Sequence, residues 1–201
     1  MRRRSASGCG RAGGKKNACR RHAWIIFEDE SGISQQPAVR RTWAPHGQTP
    51  VLLHAFNWQK MSLAAALVCR WDGRRARLFF QMKPASYTTD TLVGFLQNPR
   101  RELGGRRVIL VSDGLPAHRS RGMQAYLRGQ RRWLHEERLP GYAPELTSAE
   151  GLWQNLKGQE LANFCGQDLA AAARQCRHGV GRVRRHPALL FAFLQHTGLR
   201  W

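Results

Sequence analysis

Thirteen acidic residues stand against 33 Lys and Arg in this chain of 201, so carboxylates that close apolar runs are the first candidates for chemistry. Val108-Ile109-Leu110-Val111-Ser112 leads into Asp113, and Trp24-Ile25-Ile26-Phe27 leads into Glu28-Asp29-Glu30. Short apolar runs of this kind read as strands buried on both faces. The ends of such central strands are where open α/β sheets gather ligands and catalytic groups. Glu150 follows in Thr147-Ser148-Ala149-Glu150, at the start of a helix. Mg²⁺ is a hard ion that takes oxygen ligands and keeps several waters, so a few carboxylates and a substrate phosphate suffice to hold it. Two such ions about 4 Å apart activate an attacking oxygen and stabilise the leaving one in phosphodiester displacement. Two strand ends and a helix start converging on one point would form such a carboxylate cluster, acting on DNA.

Each group also has a plainer role. Asp113 precedes Gly114, a turn pair, although Leu115-Pro116-Ala117-His118 and helical spacing follow rather than a returning strand. Strand alternation puts Glu28 and Glu30 on one face and Asp29 on the other, so only one set is expected to point toward the site. Glu150 suits a capping box with Thr147 as N-cap. Trp153 and Lys157, three and seven residues on, share its helical face. His118 is either an exposed loop histidine or a group that orients the Asp113 region or touches phosphate. Asp72-Gly73 needs no role beyond hairpin chemistry.

The elements that must position these groups follow from periodicity and punctuation. A strand spans 24–28, and Pro45 and Gly47 suit a type I turn that lets two extended segments pair. Leu63–Trp71 and Arg77–Met82 flank the Asp72-Gly73 hairpin. Thr89–Leu96 has helical spacing and is expected to stop before Asn98-Pro99. The Asp113 strand, a helix over 119–129 and a strand over Trp133–Leu139 come next. Leu139-Pro140-Gly141-Tyr142-Ala143-Pro144 is irregular and delivers the chain to a helix from Thr147 or Ser148. Two further helices, 167–177 and 187–196, are separated by a Gly/Arg segment from Gly179 to Arg185. Strands first and helices later give a mixed α/β sheet with flanking helices.

A net charge of +20 speaks about partners, and nucleic acid is the polyanion that fits it. No apolar segment reaches the roughly 18 residues that span a bilayer, and the basic N-terminus lacks the apolar stretch of a secretory signal. Five cysteines without a CxxC pair imply reduced thiols and a cytoplasmic protein. Cys165, Cys176 and His178 lack a fourth zinc ligand at the usual spacing. Residues 1–22 carry eight Arg or Lys and no acid, and are read as a basic disordered tail.

Three stretches carry a family likeness. Phe27-Glu28-Asp29-Glu30-Ser31-Gly32, with Arg41-Thr42-Trp43-Ala44-Pro45 and Gly47-Gln48-Thr49-Pro50, resembles the opening of the DDE catalytic domain of bacterial transposases. The specific relatives are the insertion sequence 630 family of the mariner superfamily. Val111-Ser112-Asp113-Gly114-Leu115-Pro116-Ala117-His118 is similar to its second-acid motif. Leu139-Pro140-Gly141-Tyr142-Ala143-Pro144-Glu145-Leu146, running to Glu150, Trp153 and Lys157, is similar to its third.

The likeness covers roughly residues 23–165, leaving 166–201 as a basic helical extension. It implies a ribonuclease-H-like fold and a catalytic, metal-binding triad of Asp29, Asp113 and Glu150 with two Mg²⁺ or Mn²⁺. It also implies cleavage at the ends of a DNA element and strand transfer of the freed 3′-hydroxyl into target DNA. Lys157, Trp153, His118, Arg40 and Arg41 are the expected DNA contacts. Gly114 stands where the family often has Asn, and Thr147-Ser148 where Asn-Pro is usual. Relatives carry helix-turn-helix modules before this domain, for which residues 1–22 are too short. The partners implied are therefore DNA, a second copy of the chain and a separately encoded helix-turn-helix module. The competing expectation is a truncated remnant that binds nucleic acid without catalysis; a structure-specific nuclease on the same fold is a third.

Overall fold

The computed structural model describes residues 17–54, 59–139 and 148–196. Five strands form one mixed sheet in the order β3-β2-β1-β4-β5. They are β1 (Trp24–Ser34), β2 (Lys60–Cys69), β3 (Ala76–Lys83), β4 (Val108–Ser112) and β5 (Leu134–Arg138). β2 is antiparallel to β1 and β3, whereas β1, β4 and β5 run parallel. Parallel neighbours require crossovers, and helix α1 (Thr89–Glu102) and helices α2 (Pro116–Arg119) and α3 (Arg121–Gly129) lie in the connections. Helices α4 (Ser148–Asn155), α5 (Leu169–Arg185) and α6 (Pro187–His196) follow the sheet, with α4 passing directly into a π-helical segment at Leu156–Glu160.

Side-chain alternation divides the core in two. Ile25, Phe27, Leu63, Ala65, Leu67, Ile109 and Val111 pack beneath α4, α5 and α6. Trp24, Ile26, Ala64, Ala66, Val68, Val108 and Leu110 pack beneath α1 and α3. All five residues of β4 are buried, as its unbroken apolar run predicts.

Four sequence expectations need revision. β1 does not stop at Glu28; it continues to Ser34 because β2 supplies partners along its full length, down to Ser34↔Lys60. The acids therefore lie within a strand. α1 passes through Pro99 to Glu102. A proline in the last turn forgoes one backbone bond, and the stop comes instead at Gly104 and Gly105, with φ of 60° and 70°. α5 is continuous through Gly179, where a Cβ would overlap Glu160 Cγ and Leu156 Cδ2; the glycine lets two helices approach rather than ending one. The Pro45 turn forms, with Gln48 N donating to Pro45 O at 3.0 Å, yet residues 39–54 form no strand.

The hairpin turn at Asp72 is as expected in place. It spans residues 70–75, with Asp72 accepting from the Arg74 N–H at 3.1 Å and pairing with Arg70 at 3.3 Å. Of the basic N-terminal segment, residues 17–21 form a helical turn whose Ala18 is buried. The proposed Thr147 cap and the Pro140–Pro144 stretch lie outside the described residues.

Candidate active site

The parallel pairing of β1 with β4 ends at Phe27↔Val111. Just beyond that pair, the acid triplet of β1 and the Ser112-Asp113 end of β4 emerge at the same sheet edge. On the other side the register sets Glu28, Asp29 and Glu30 opposite Ala66, Ala65 and Ala64. Methyl groups there leave room for carboxylates on both faces of the sheet. Both faces are used, against the expectation that only one set would matter.

On one face, Glu28 and Glu30 converge on His118 from α2. Its Nε2 lies 3.2 Å from Glu30 Oε1, a hydrogen bond, and 3.4 Å from Glu28 Oε2. Nδ1 lies 3.3 Å from Asp113 Oδ1 without the alignment of a hydrogen bond, so the contact is electrostatic. Asp113 Oδ1 also accepts from the Leu115 backbone N–H at 3.0 Å, the local turn that its Gly114 suggested. Glu28 Oε1 and Glu30 Oε2 are buried without a hydrogen-bond partner. Glu28, Glu30 and His118 are the triplet among the described residues whose ligand atoms lie within 4.8 Å of one another.

Burial and three carboxylates set the charges here. Burial alone would lower the His118 pKa, but the Glu30 hydrogen bond and the Glu28, Glu30 and Asp113 carboxylates outweigh it, raising it to about 9. His118 is therefore an imidazolium at neutral pH. Burial pushes Glu28 well above the usual carboxylate range, with repulsion from Glu30 adding to it. Tyr87, facing the same acids, is raised to about 12 by burial and by Glu30 and Glu28.

On the other face, Asp29 accepts a hydrogen bond from Trp153 Nε1 at 2.9 Å. Burial raises its pKa to about 6. The Trp153 bond pulls the other way, and repulsion by Glu30 and Asp113 adds to the rise. Two residues along the same face, Ser31 Oγ accepts from Lys157 Nζ at 2.8 Å. Four helical residues advance about 6 Å and two strand residues about 6.6 Å, so the Trp153–Asp29 and Lys157–Ser31 pairs match in spacing and tie the α4 unit to β1. Glu150, half-buried and one turn before Trp153, accepts from Gln154 Nε2 at 3.2 Å.

Of the residues expected to act, Asp29 and Asp113 are close enough to perturb one another electrically, and Glu150 sits on the helix bound to Asp29 through Trp153. The three do not offer oxygens within 4.8 Å of one another. Trp153 and His118, expected at the DNA, are 3% and 2% exposed and face the acids instead. Their polar atoms are engaged by carboxylates. Lys157 is half-buried on Ser31. Arg40 and Arg41 are exposed, and the Arg40 backbone is held from both sides by the Asn163 side chain at 2.8 and 3.0 Å.

Sequence reasoning missed the His118–Glu28–Glu30 network, for which the acidic triplet and a histidine five residues after Asp113 were the available signals. It also missed the support behind α4. There Arg182 from α5 donates to Glu160 and Asn155 at 2.6 Å each and to Gln159 at 3.1 Å.

Asp29, Asp113 and Glu150 carry oxygen donors alone, the kind a hard divalent cation takes, and beside His118 the buried Glu28 Oε1 and Glu30 Oε2 have no hydrogen-bond partner. Comparison with known proteins agrees in fold. The solved structure of a Mos1 transposase paired-end complex with left transposon end superimposes with a TM-score of 0.63 at 14% identity, over 98% of this chain and 63% of that one. A Mos1 mariner paired-end complex with Mn gives 0.53 at 16%, over 92% and 61%. The catalytic domain of Mos1 mariner transposase gives 0.51 at 14%, over 93% and 89%. The chain thus spans just under two thirds of the fuller Mos1 structures, and the shared architecture is the ribonuclease-H-like fold. No curated protein matches in sequence. The family model described as DDE superfamily endonuclease matches residues 24–167, more than two thirds of the chain, and the protein belongs to that family.

Proposed function

We propose that the chain is the catalytic domain of a transposase, of the insertion sequence 630 branch of the mariner superfamily, that cleaves DNA at element ends and joins the freed end to target DNA. The observation that carries this is the Trp153–Asp29 hydrogen bond, because it links the first acid to the helix that bears the third. Asp29, Asp113 and Glu150 are the proposed ligands of divalent ions. Bound there, such ions would supply a nucleophilic oxygen at neutral pH and a counter-charge for the leaving oxygen.

The remaining parts follow from this chain's own side chains. Trp153 fixes Asp29 Oδ2 by donation. His118 is hydrogen-bonded to Glu30 through Nε2 and presents Nδ1 to Asp113 as a counter-charge, which makes it a positioning residue. Lys157 keeps the Glu150 helix against β1, and exposed Arg40 and Arg41 are available to phosphates.

A second proposal, a DNA-binding remnant without catalysis, draws on the separation of the three acids beyond 4.8 Å and on Gly114, which stands where the resembled family often has Asn. The two part company in one experiment. With a helix-turn-helix module and element-end DNA supplied, the parent should nick DNA only with Mg²⁺ or Mn²⁺. Asp113→Asn should lose at least 100-fold in cleavage with DNA affinity unchanged. Equal cutting by the variant removes Asp113 from the chemistry, and no cutting by the parent leaves the remnant.

A further inference from the structure

The acids lie where the parallel strands end; a different feature lies where they begin. There the Trp24 N–H donates to Arg107 O at 2.8 Å and the Val108 N–H to Trp133 O at 2.6 Å. These bonds lock the starts of β1, β4 and β5 into one floor. Above it is a recess of about 260 Å³ lined by Arg21, Arg107, Arg131, Arg132, Trp133 and His135, among others, with no acid in the lining.

The four arginines are exposed, and among the described residues none of their guanidiniums has an ion pair or hydrogen bond. The acids nearest in sequence are taken elsewhere: Glu102 by Arg77 at 3.2 Å and Glu136 by Arg138 at 3.1 Å. The wall is rigid as well. Trp133 donates to Gln130 Oε1 at 2.8 Å, and the Arg100 guanidinium sits over its ring at 5.4 Å.

Like charges gathered around one recess repel unless an anion joins them. Guanidinium forks match phosphate oxygens two at a time. We propose that this recess is a seat for a backbone phosphate of DNA, at a point remote from the one being cut. The proposal rests on the reading of the chain as a DNA-processing enzyme and adds a place on the opposite sheet edge. β4 has five residues, which puts the two edges about 15 Å apart along the strand. DNA engaged at the recess is therefore held independently of the acids, and its contribution to affinity needs no divalent ion.

The test is fluorescence anisotropy of the full chain with a 30-base-pair duplex over a range of salt, without divalent metal. Replacing Arg107, Arg131 and Arg132 together by Gln should reduce the slope of log affinity against log salt by about one to two. Affinity near 0.1 M salt should fall about tenfold. The same three positions changed to Lys should keep the slope, since the charge remains. A control that replaces Arg174, Arg177 and Arg185 of α5, all exposed, by Gln removes as much charge elsewhere and should change the slope less.

Equal effects in the two Gln variants, or no effect in the first, overturn the seat. A slope lost in the Lys variant together with a lowered Tm means the arginines act on the fold and also overturns it; a slope lost at unchanged Tm supports fork-shaped recognition of phosphate. Displacement of the duplex by poly-glutamate through these arginines, more effectively than by chloride of the same ionic strength, would assign the recess to an acidic protein instead. A parent that fails to bind duplex at all sinks the DNA reading itself, whereas a parent that binds but cannot cleave leaves the seat standing.

Discussion

At the scale of single residues, the site is a problem of surplus negative charge. Asp29 is raised from 3.8 to about 6, so its contribution to stability is present below its unfolded pKa and is lost as pH rises through 6. His118 is raised from 6.5 to about 9; its contribution is complete below 6.5 and is lost as pH rises through 9. Both slopes have the same sign, each on the order of 2–3 kcal/mol. Thermal unfolding of the metal-free protein should therefore show a Tm that falls from pH 5 to pH 9. His118→Gln should flatten the portion above pH 6.5 and reduce cleavage at every pH. An unchanged slope in that variant would place the titration on another group.

Among elements, the join between β1 and the α4 unit matters most. Trp153→Phe keeps the ring's bulk but removes the donor to Asp29. Since that donor lowers the Asp29 pKa, its loss raises the pKa further, and the acid limb of Mn²⁺ binding should move to higher pH. Isothermal titration with Mn²⁺ between pH 5 and 8 reads this directly; a limb that stays in place would show that Asp29 ionisation does not control binding.

The sequence revealed these elements unevenly. β4 and the Asp72 hairpin were legible because apolar runs and turn residues are local signals, whereas β5, Leu134-His135-Glu136-Glu137-Arg138, carried only a weak strand pattern. The length of β1 was not legible, because its second half is polar and owes its strand form to β2. Continuity of α5 through Gly179 depended on how closely Glu160 packs, which no local pattern carries. The acids could be named from the chain, but the division of Glu28 and Glu30 from Asp29 between two networks required knowing that both faces of β1 are covered near that edge.

For the whole molecule, a charge of +20 coexists with a cluster of carboxylates at one sheet edge. Phosphates are drawn to the surface in general and repelled locally, unless cations sit among the acids. Binding by this chain alone should be steeply salt-dependent and nearly indifferent to base sequence. Competition between element-end and scrambled duplexes, with and without a supplied helix-turn-helix module, measures that; strong preference by the isolated chain would show that it reads bases itself. No disulfide joins Cys19, Cys69, Cys165 and Cys176 to one another. Among the described residues no helix is long and apolar enough to cross a membrane.

The π-helical segment at Leu156–Glu160 has one residue more per turn than the helix it extends. Excising Gly158, whose surroundings are open, would let that stretch relax to ordinary winding. The residues of that segment after the deletion would then rotate by about 100° relative to Glu150. Glu160 would swing off Arg182, loosening the tie between this segment and α5 while Asp29 and Asp113 stayed where they are. A single surplus residue thus acts as a phase shifter, setting where Glu160 is presented to α5.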